Sequence, residues 1–145
     1  MKEQTPKEYL RQLKTASIKI EQKEDELERL KAAAESISAN TESERVQTTP
    51  KDRVSEDVAR IMDLKEEINR DIEKLLILRN KIINEIQSLD SPVYIDILYK
   101  RYVEYKTLEE IAVEMSYSYT RLRHLHGRAL QGFKKKYMDK KISPN

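Results

Sequence analysis

Apolar residues recur in a heptad pattern through the first part of the chain, between residues 6 and 38. One row of this pattern consists of Leu13, Ile20, Leu27 and Ala34. A second apolar row lies three or four positions away and is interrupted at Lys23. Because residues at this spacing share one face of an α-helix, the pattern predicts a long amphipathic helix with charged residues on its outer side.

A second, unbroken heptad row predicts another long helix, which begins near Ser55 and ends at about Leu89. The row consists of Val54, Ile61, Ile68, Leu75, Ile82 and Leu89. Residues 40–53, between the two helices, are polar and have no apolar period, so we expect a flexible loop there. Since neither helix can bury its stripe alone, residues 1–90 are predicted to form a coiled-coil arm. The arm is either a hairpin within one chain or an interface between subunits.

Signals for shorter helices follow Asp90. Ser91 is a cap-like residue, and Pro92 comes next, at the first helical position, where the missing N–H of proline removes no helical hydrogen bond. Further on, Thr107 is followed three residues later by Glu110, which is the spacing of a capping box. Two short helices are therefore predicted to begin at these points.

The last predicted helix begins after Ser118, which can act as its N-cap, and runs to about Tyr137. Residues 116–118 separate it from the preceding helix. A short helix, a three-residue turn and a second helix form the layout of a helix-turn-helix. The predicted fold is therefore all-α, with the coiled-coil arm followed by a helix-turn-helix domain at residues 91–138 and a basic tail at residues 139–145.

The composition agrees with this fold and excludes several classes of function. Of the 145 residues, 37% are charged and 38% hydrophobic, and only two are glycine, which favours helices with narrow apolar seams over sheets. The absence of cysteine excludes disulfides, thiol catalysis and thiolate metal sites. The longest apolar run, Leu75–Leu78, is much shorter than a membrane span, and the first ten residues lack the apolar core of a signal peptide. We therefore expect a soluble cytoplasmic protein that has no contact with a membrane.

The charge of the chain is unevenly distributed. The whole sequence carries a net charge of +2. Residues 117–145 contain eight basic residues and one acidic residue, a net charge of +7, so residues 1–116 carry −5. Such a basic end is either a solvated tail or a surface that binds a polyanion.

Both histidines lie in the last predicted helix. Two histidines so close together could indicate a metal or catalytic site. At about 100° per residue, His124 and His126 point about 160° apart, whereas two ligands of one ion should be three or four residues apart. No cysteine or nearby carboxylate completes a ligand set, and no nucleophile lies beside an oriented base. The sequence thus predicts no metal, no cofactor and no enzymatic activity. We expect His126 to be packed at the edge of an apolar stripe and His124 to face outward.

The outward face of this helix instead predicts contact with DNA. It presents Tyr119, Thr120, Arg123, His124, Arg128 and Gln131, with Arg121 and Lys135 at its side. Arginine can bond guanine O6 and N7 with two hydrogen bonds, and histidine, threonine and tyrosine can bond bases or phosphates. The lysines that follow can neutralise phosphates without recognising sequence.

Residues 94–134 contain the segment ILYKRYVEYKTLEEIAVEMSYSYTRLRHLHGRALQGF. This segment resembles the fourth conserved region of bacterial sigma-70-type factors, a helix-turn-helix that recognises the promoter −35 element. The matching positions are Leu98, Arg101, Tyr102, Glu110, Ile111, Ala112, Ser118, Leu122, Arg123, Leu125, Arg128, Ala129 and Leu130. The segment EEIAVEMSYSYTRLRHLHGRAL after a long charged helical region is also similar to ArpU-like regulators and late-transcription activators of phages and prophages in Gram-positive bacteria. The resemblance covers under a third of the chain.

The resemblance implies a sequence-specific DNA-binding regulator of phage or prophage transcription, acting on double-stranded DNA. It implies that Tyr119, Thr120, Arg121, Arg123 and His124 lie where that family contacts DNA. With the charge pattern, the predicted DNA-binding residues are Lys106, Thr107, Ser118, Tyr119, Thr120, Arg121, Arg123, His124, Arg128, Lys134 and Lys135. We expect a homodimer formed through the N-terminal helices, because one small module covers little DNA.

Two features depart from the sigma pattern, and two alternatives stay open. Ser116 replaces the glycine usual in the turn, and Tyr119 and Thr120 replace an arginine-rich start of the recognition helix. Nothing in the chain matches the sigma region that melts promoters, which argues against a complete sigma factor. One alternative is a sigma mimic that docks on RNA polymerase without recognising DNA. The other is a small terminase subunit for DNA packaging.

Overall fold

The computed structural model describes residues 3–40 and 50–139 of the chain. Over these ranges the secondary structure is helical and includes no strand, which confirms the predicted all-α class. The helices are α1 (Pro6–Asn40), α2 (Pro50–Gln87), α3 (Pro92–Leu98), α4 (Leu108–Met115) and α5 (Tyr119–Phe133). α3 and α5 each continue into one turn of π-helix, Tyr99–Val103 and Lys134–Met138 respectively. None of the helices in these ranges combines the length and apolar character needed to cross a lipid bilayer.

α2 begins at Pro50, five residues before the predicted start near Ser55. Proline suits the first helical position because its φ is fixed near the helical value and its missing N–H has no helical partner there. The residues after it are polar, so the heptad pattern does not reveal this first turn. Of the loop predicted at residues 40–53, residues 41–49 lie outside the described part of the chain. The same is true of residues 140–145 of the predicted tail.

The predicted N-caps are confirmed. The hydroxyl oxygens of Ser91, Thr107 and Ser118 accept hydrogen bonds from the backbone N–H three residues later, at 3.3, 3.2 and 3.1 Å. α1 begins with a complete capping box, in which Thr5 Oγ1 accepts from the Glu8 N–H at 3.1 Å and the Glu8 carboxylate accepts from the Thr5 N–H at 3.3 Å. These caps satisfy N–H groups that have no partner within the helix, and they fix where each helix begins.

The chain forms two compact units. One unit contains Met1–Thr15 and Leu75–Asn145, and the other contains Ala16–Lys74. The first unit therefore combines the start of α1 and the end of α2 with the short helices α3 to α5. The reason lies in the apolar side chains at the start of α1, which pack with residues of α5 rather than with α2 alone.

The main core of the first unit joins residues from α1, α2, α3 and α5. Its buried members are Leu10, Leu13, Ile82, Ile86, Leu89, Leu98, Tyr102, Val103, Ala129 and Phe133. The ring of Tyr9 lies 5.8 Å from that of Phe133 between centroids, and the Tyr9 hydroxyl donates to Glu85 Oε1 at 2.5 Å. Burial raises the pKa of Tyr9, and the hydrogen bond to Glu85 raises it further, so this hydroxyl keeps its proton.

A second, smaller core in the same unit holds α4 and α5 against α3. It consists of Ile97 from α3, Ile111 and Ala112 from α4, and Leu122 and Leu125 from α5. Burying these five side chains removes apolar surface from water. The burial stabilises the folded state by about 25 cal/mol for each Å² of that surface, which favours one fixed arrangement of the three helices. The orientation of α5 is therefore set by packing on its apolar side.

The other unit, Ala16–Lys74, joins α1 and α2 through a narrow seam. Ile20 and Ile68 are buried in it. Lys23, which interrupts the heptad row, contacts two carboxylates of α2, with its Nζ 2.7 Å from Glu67 Oε1 and 2.5 Å from Asp71 Oδ2. The hydrogen bond to Asp71 raises the pKa of Lys23 most, and the hydrogen bond to Glu67 adds to this effect. The hydrogen bond from Lys23 lowers the pKa of Asp71. α1 and α2 thus contact each other within one chain.

Candidate nucleic-acid interface

The connection between α4 and α5 is a tight turn of three residues, as predicted. Ser116 ends α4 in the left-handed conformation, with φ 58° and ψ 38°. The Ser116 N–H donates to the Val113 carbonyl at 3.2 Å, and the Tyr117 N–H donates to the Ala112 carbonyl at 2.9 Å. This pair of bonds is a Schellman motif, and its left-handed position is the one where glycine is most favourable. The departure noted at Ser116 therefore falls on a position with positive φ.

α5 has one buried side and one exposed side. Its buried residues are Leu122, Leu125, His126, Ala129 and Phe133. Its exposed residues include Tyr119, Thr120, Arg121, Arg123, His124, Arg128 and Gln131. The segment from Tyr119 to Met138 contains no aspartate or glutamate. The outward side predicted from the sequence is therefore accessible in this unit, and its formal charges are all positive.

Two arginines at the start of α5 lie over aromatic rings. The guanidinium of Arg121 is 5.7 Å from the Tyr117 ring centroid, and that of Arg123 is 5.8 Å from the ring of Tyr119. Contacts of this kind contribute about 0.5–1 kcal/mol at exposed sites. They restrict the side-chain freedom of both arginines, so less conformational entropy is lost when the guanidinium groups bind a ligand.

The first turns of α5 form a shallow concavity of about 180 Å³, lined by Thr120, Arg123 and His124. These residues are spaced i, i+3 and i+4, which places them side by side on a helix surface. They offer a hydroxyl, a planar guanidinium fork and an imidazole. Such a set is suited to the donor and acceptor pattern along the edge of a base pair in a major groove.

His126 lies on the buried side and is separated from His124, as predicted. Its Nε2 is 2.8 Å from the Tyr102 hydroxyl, and the two rings are stacked with centroids 5.8 Å apart. Burial, together with the smaller effect of the nearby charges of Arg101, Lys7 and Arg11, lowers the pKa of His126 to about 4. His126 is therefore neutral at pH 7 and acts as a packing residue of the core.

Lys7 and Arg11 were not predicted to belong to this region. The packing of Leu10 and Leu13 with Ala129 and Phe133 places the start of α1 against α5, and the charges of Lys7 and Arg11 contribute to lowering the pKa of His126. The sequence does contain a signal, since Lys7, Arg11 and Lys14 are spaced i, i+4 and i+7. That spacing alone does not reveal which other helix they adjoin.

The predicted DNA-binding residues at the start of α4 have partners within the protein. Lys106 Nζ is 2.6 Å from Glu114 Oε1 and 3.2 Å from Glu104 Oε2, and Lys100 also pairs with Glu114, at 3.1 Å. The hydrogen bond to Glu114 raises the pKa of Lys106 and lowers that of Glu114. Because its charge is compensated by carboxylates, Lys106 is a weaker candidate for a phosphate contact than the cations of α5. Thr107 is occupied as the N-cap of α4.

The lysines after α5 differ among themselves. Lys134 and Lys135 are exposed on the π-helical turn. Lys136 donates a hydrogen bond from its Nζ to the carbonyl of Ser88 at the end of α2. Of the predicted residues, those from Ser118 to Arg128 thus lie together along α5, and Lys134 and Lys135 continue that basic segment.

Comparison with protein-family models, with curated proteins and with solved structures finds no match for this chain. The likeness to the sigma region stays a resemblance between sequences. The exposed residues of α4 and α5, with their charge and geometry, are therefore the basis for a functional inference.

Proposed function

We propose that this protein binds double-stranded DNA in a sequence-specific manner and regulates transcription, with α5 as the helix that enters the major groove. The observation that carries the proposal is the exposed side of α5. It bears Arg121, Arg123 and Arg128 without any carboxylate, and it lies opposite the buried stripe that fixes the helix. A surface of this charge attracts the phosphate backbone, and a helix of this diameter fits the major groove of B-form DNA.

The residues of α5 and of the π-helical turn that follows it have two proposed roles. Thr120, Arg123 and His124 would contact base edges, since they line the concavity on the first turns of the helix. Lys134 and Lys135 would contact phosphates and so contribute affinity that does not depend on sequence. α4 would cross the backbone, as the first helix of a helix-turn-helix does.

The proposed biological role is control of phage or prophage genes in the cytoplasm of a bacterial host. It rests on the resemblance of residues 94–134 to the sigma-type helix-turn-helix and to phage regulators. Because Tyr119 and Thr120 replace the arginine-rich start of the sigma helix, the preferred DNA sequence should differ from the −35 element.

We also propose that two copies pair through their N-terminal helices. Val58 and Met62, four residues apart on α2, are 46% and 58% exposed, so this helix still presents apolar surface. Pairing would let two recognition helices bind two half-sites, one helical turn or a multiple of it apart. Analytical ultracentrifugation at micromolar concentration should find a dimer, and a clean monomer would contradict this part of the proposal.

Selection of binding sites from random duplex DNA tests the proposed function directly. We expect enrichment of a short motif, a footprint on that motif, and an affinity that falls steeply as salt rises. Equal binding to every duplex, or no binding at low salt, would contradict the proposal. Co-purification with RNA polymerase in the absence of DNA binding would favour the polymerase-docking alternative, and a ring of many subunits would favour the terminase alternative.

A further inference from the structure

The start of α1 carries a stripe of three cations on its exposed side. Lys7, Arg11 and Lys14 are spaced i, i+4 and i+7, so they follow one another along a single flank of the helix. All three are exposed. None of them forms an ion pair with a carboxylate among the residues that the structure describes. Their charges are therefore available to a ligand.

The turns of α1 that carry this stripe are fixed against α5. Leu10 and Leu13 are fully buried in the core that also contains Ala129 and Phe133. The Tyr9 ring lies 5.8 Å from that of Phe133. Because the apolar side of these turns is held in this core, the cations on the other side keep a fixed position relative to α5.

The turns of α1 that carry the stripe pack against the Ala129 and Phe133 turns of α5. His126, on the buried side of α5 one turn before Ala129, lies between these packed turns and the start of the helix, and the charges of Lys7 and Arg11 contribute to lowering its pKa. Arg123 precedes His126 by three residues, so the two are neighbours on the helix surface. The opposite flank carries Arg121 and Arg128. Cations thus lie on both sides of the face that would enter the groove.

We propose that Lys7, Arg11 and Lys14 form a second phosphate-binding surface, which contacts the DNA backbone beside the groove occupied by α5. This inference rests on the proposed function and extends it to a helix that the helix-turn-helix layout does not include. Lysine and arginine at such a position neutralise phosphates and fix the orientation of the protein, but they do not recognise bases. The start of α1 is then part of the DNA-binding unit rather than of a separate arm.

The test is a triple substitution, Lys7→Gln, Arg11→Gln and Lys14→Gln, in the full chain. The measurement is the DNA affinity as a function of salt concentration, on the duplex motif obtained by selection. Each lost phosphate contact should make the slope of log affinity against log salt shallower by about 0.9. We expect a change of about 2–3 for the three residues together, with the same motif preferred. A duplex trimmed to the motif should also lose affinity for the unsubstituted protein but not for the variant.

A matched control removes the same number and kind of charges elsewhere. Lys19→Gln, Arg60→Gln and Lys65→Gln take two lysines and one arginine from exposed positions of residues 16–74. This control should leave the salt slope within experimental error of the original. Helical circular dichroism should be unchanged in both variants, because all six side chains lie on exposed helix surfaces.

The possible outcomes separate this inference from the proposed function. If the unsubstituted protein binds the selected duplex and the triple variant keeps its salt slope, the inference is wrong while the proposed function stands. An equal change of slope in variant and control would mean that net charge alone matters, and this too would overturn the inference. If the unsubstituted protein binds no duplex, both fall together.

Discussion

The two compact units of this chain carry opposite net charges. Different kinds of side chain stabilise the interior of each unit. Residues 16–74 contain sixteen acidic and eleven basic residues, whereas residues 1–15 and 75–145 contain ten acidic and seventeen basic residues. All eight tyrosines and Phe133 lie in the basic unit, and the acidic unit has no aromatic residue. The basic unit has two buried clusters, with Tyr102 and Phe133 among their aliphatic side chains, and the acidic unit has a narrow aliphatic seam with an ion pair at Lys23.

The difference indicates which unit is built to hold a surface in a fixed position. A core with residues from four helices fixes the orientation of α5, because rotation of the helix would expose Leu122, Ala129 and Phe133 together. A seam between two helices fixes only their pairing. The comparison predicts that damage to the core of the basic unit affects DNA binding, while equal damage to the buried seam of the acidic unit, away from the exposed Val58 and Met62, affects stability alone.

The largest effect is expected from Phe133→Ala. Truncation of this fully buried ring should lower the free energy of unfolding by about 3–5 kcal/mol and abolish DNA binding, because α5 loses its packing against α1. Ile68→Ala is the matched change in the acidic unit, where it should lower stability by about 2–5 kcal/mol. Urea denaturation and DNA affinity measure the two effects. Loss of DNA binding in folded Ile68→Ala protein would contradict the comparison.

The next largest effect is a loss of stability at low pH that arises in the basic unit, which contains both histidines. The pKa of His126 is about 4 in the folded state, against 6.5 for an ordinary histidine. As pH falls from 6.5 toward 4, the unfolded chain binds a proton that the folded chain does not, so stability is lost over that window. The loss should approach about 3 kcal/mol at most.

The variant His126→Gln isolates this contribution, because glutamine does not titrate and its amide can bond the Tyr102 hydroxyl. The stability of the variant should fall less steeply between pH 6.5 and 4 than that of the original. Unfolding by urea at several pH values provides the measurement. Identical pH dependence in the two proteins would show that His126 binds its proton normally in the folded state.

A smaller effect distinguishes base recognition from phosphate contact within the basic unit. Arg123→Ala should reduce discrimination between the selected motif and a scrambled duplex by about 1–3 kcal/mol. Lys134→Gln with Lys135→Gln should instead weaken binding to both duplexes alike and make the salt slope shallower by about 0.9 per contact. Competition binding with the two duplexes measures both changes. The two roles would be wrongly assigned if both variants behaved in the same way.

The smallest effect is expected at the turn between α4 and α5. Ser116→Gly should stabilise the protein by about 1 kcal/mol, because the left-handed conformation is unfavourable for a residue with a Cβ. Ser36→Gly in α1 of the acidic unit should have the opposite sign, since glycine inside a helix is less favourable than serine, by about 0.5 kcal/mol. Thermal unfolding of both variants measures these changes in stability. Destabilisation by Ser116→Gly would mean that the serine side chain contributes more than its strain removes.

Features set by neighbouring residues could be predicted from the sequence, and features set by distant contacts could not. The heptad rows predicted α1 and α2, the caps at Ser91, Thr107 and Ser118 predicted the starts of three helices, and the stripe on α5 predicted that His126 is buried. All of these depend on residues within a few turns of one another. The early start of α2 at Pro50 was missed because its first turn has no apolar period.

The contacts of α1 with α5 and the ion pairs of Lys106 could not be predicted in this way. Nothing near Tyr9 in the sequence indicates Phe133, and nothing near Lys106 indicates that Glu114, eight residues further along the chain, also compensates its charge. Heptad spacing is compatible with several partners for one apolar stripe, and the choice between them depends on the shape of the assembled core. The candidate site was therefore predicted along α5 but not at the start of α1.

The contact between Tyr9 and Phe133 has a consequence for how the chain is made. Leu10 and Leu13 are synthesised more than a hundred residues before Ala129 and Phe133 of α5, which supply part of the core that buries them. Pairing over such a separation closes a long loop, which is slow compared with forming a local turn. A polypeptide lacking α5 cannot complete this core, so the start of α1 reaches its folded position only after α5 has been synthesised.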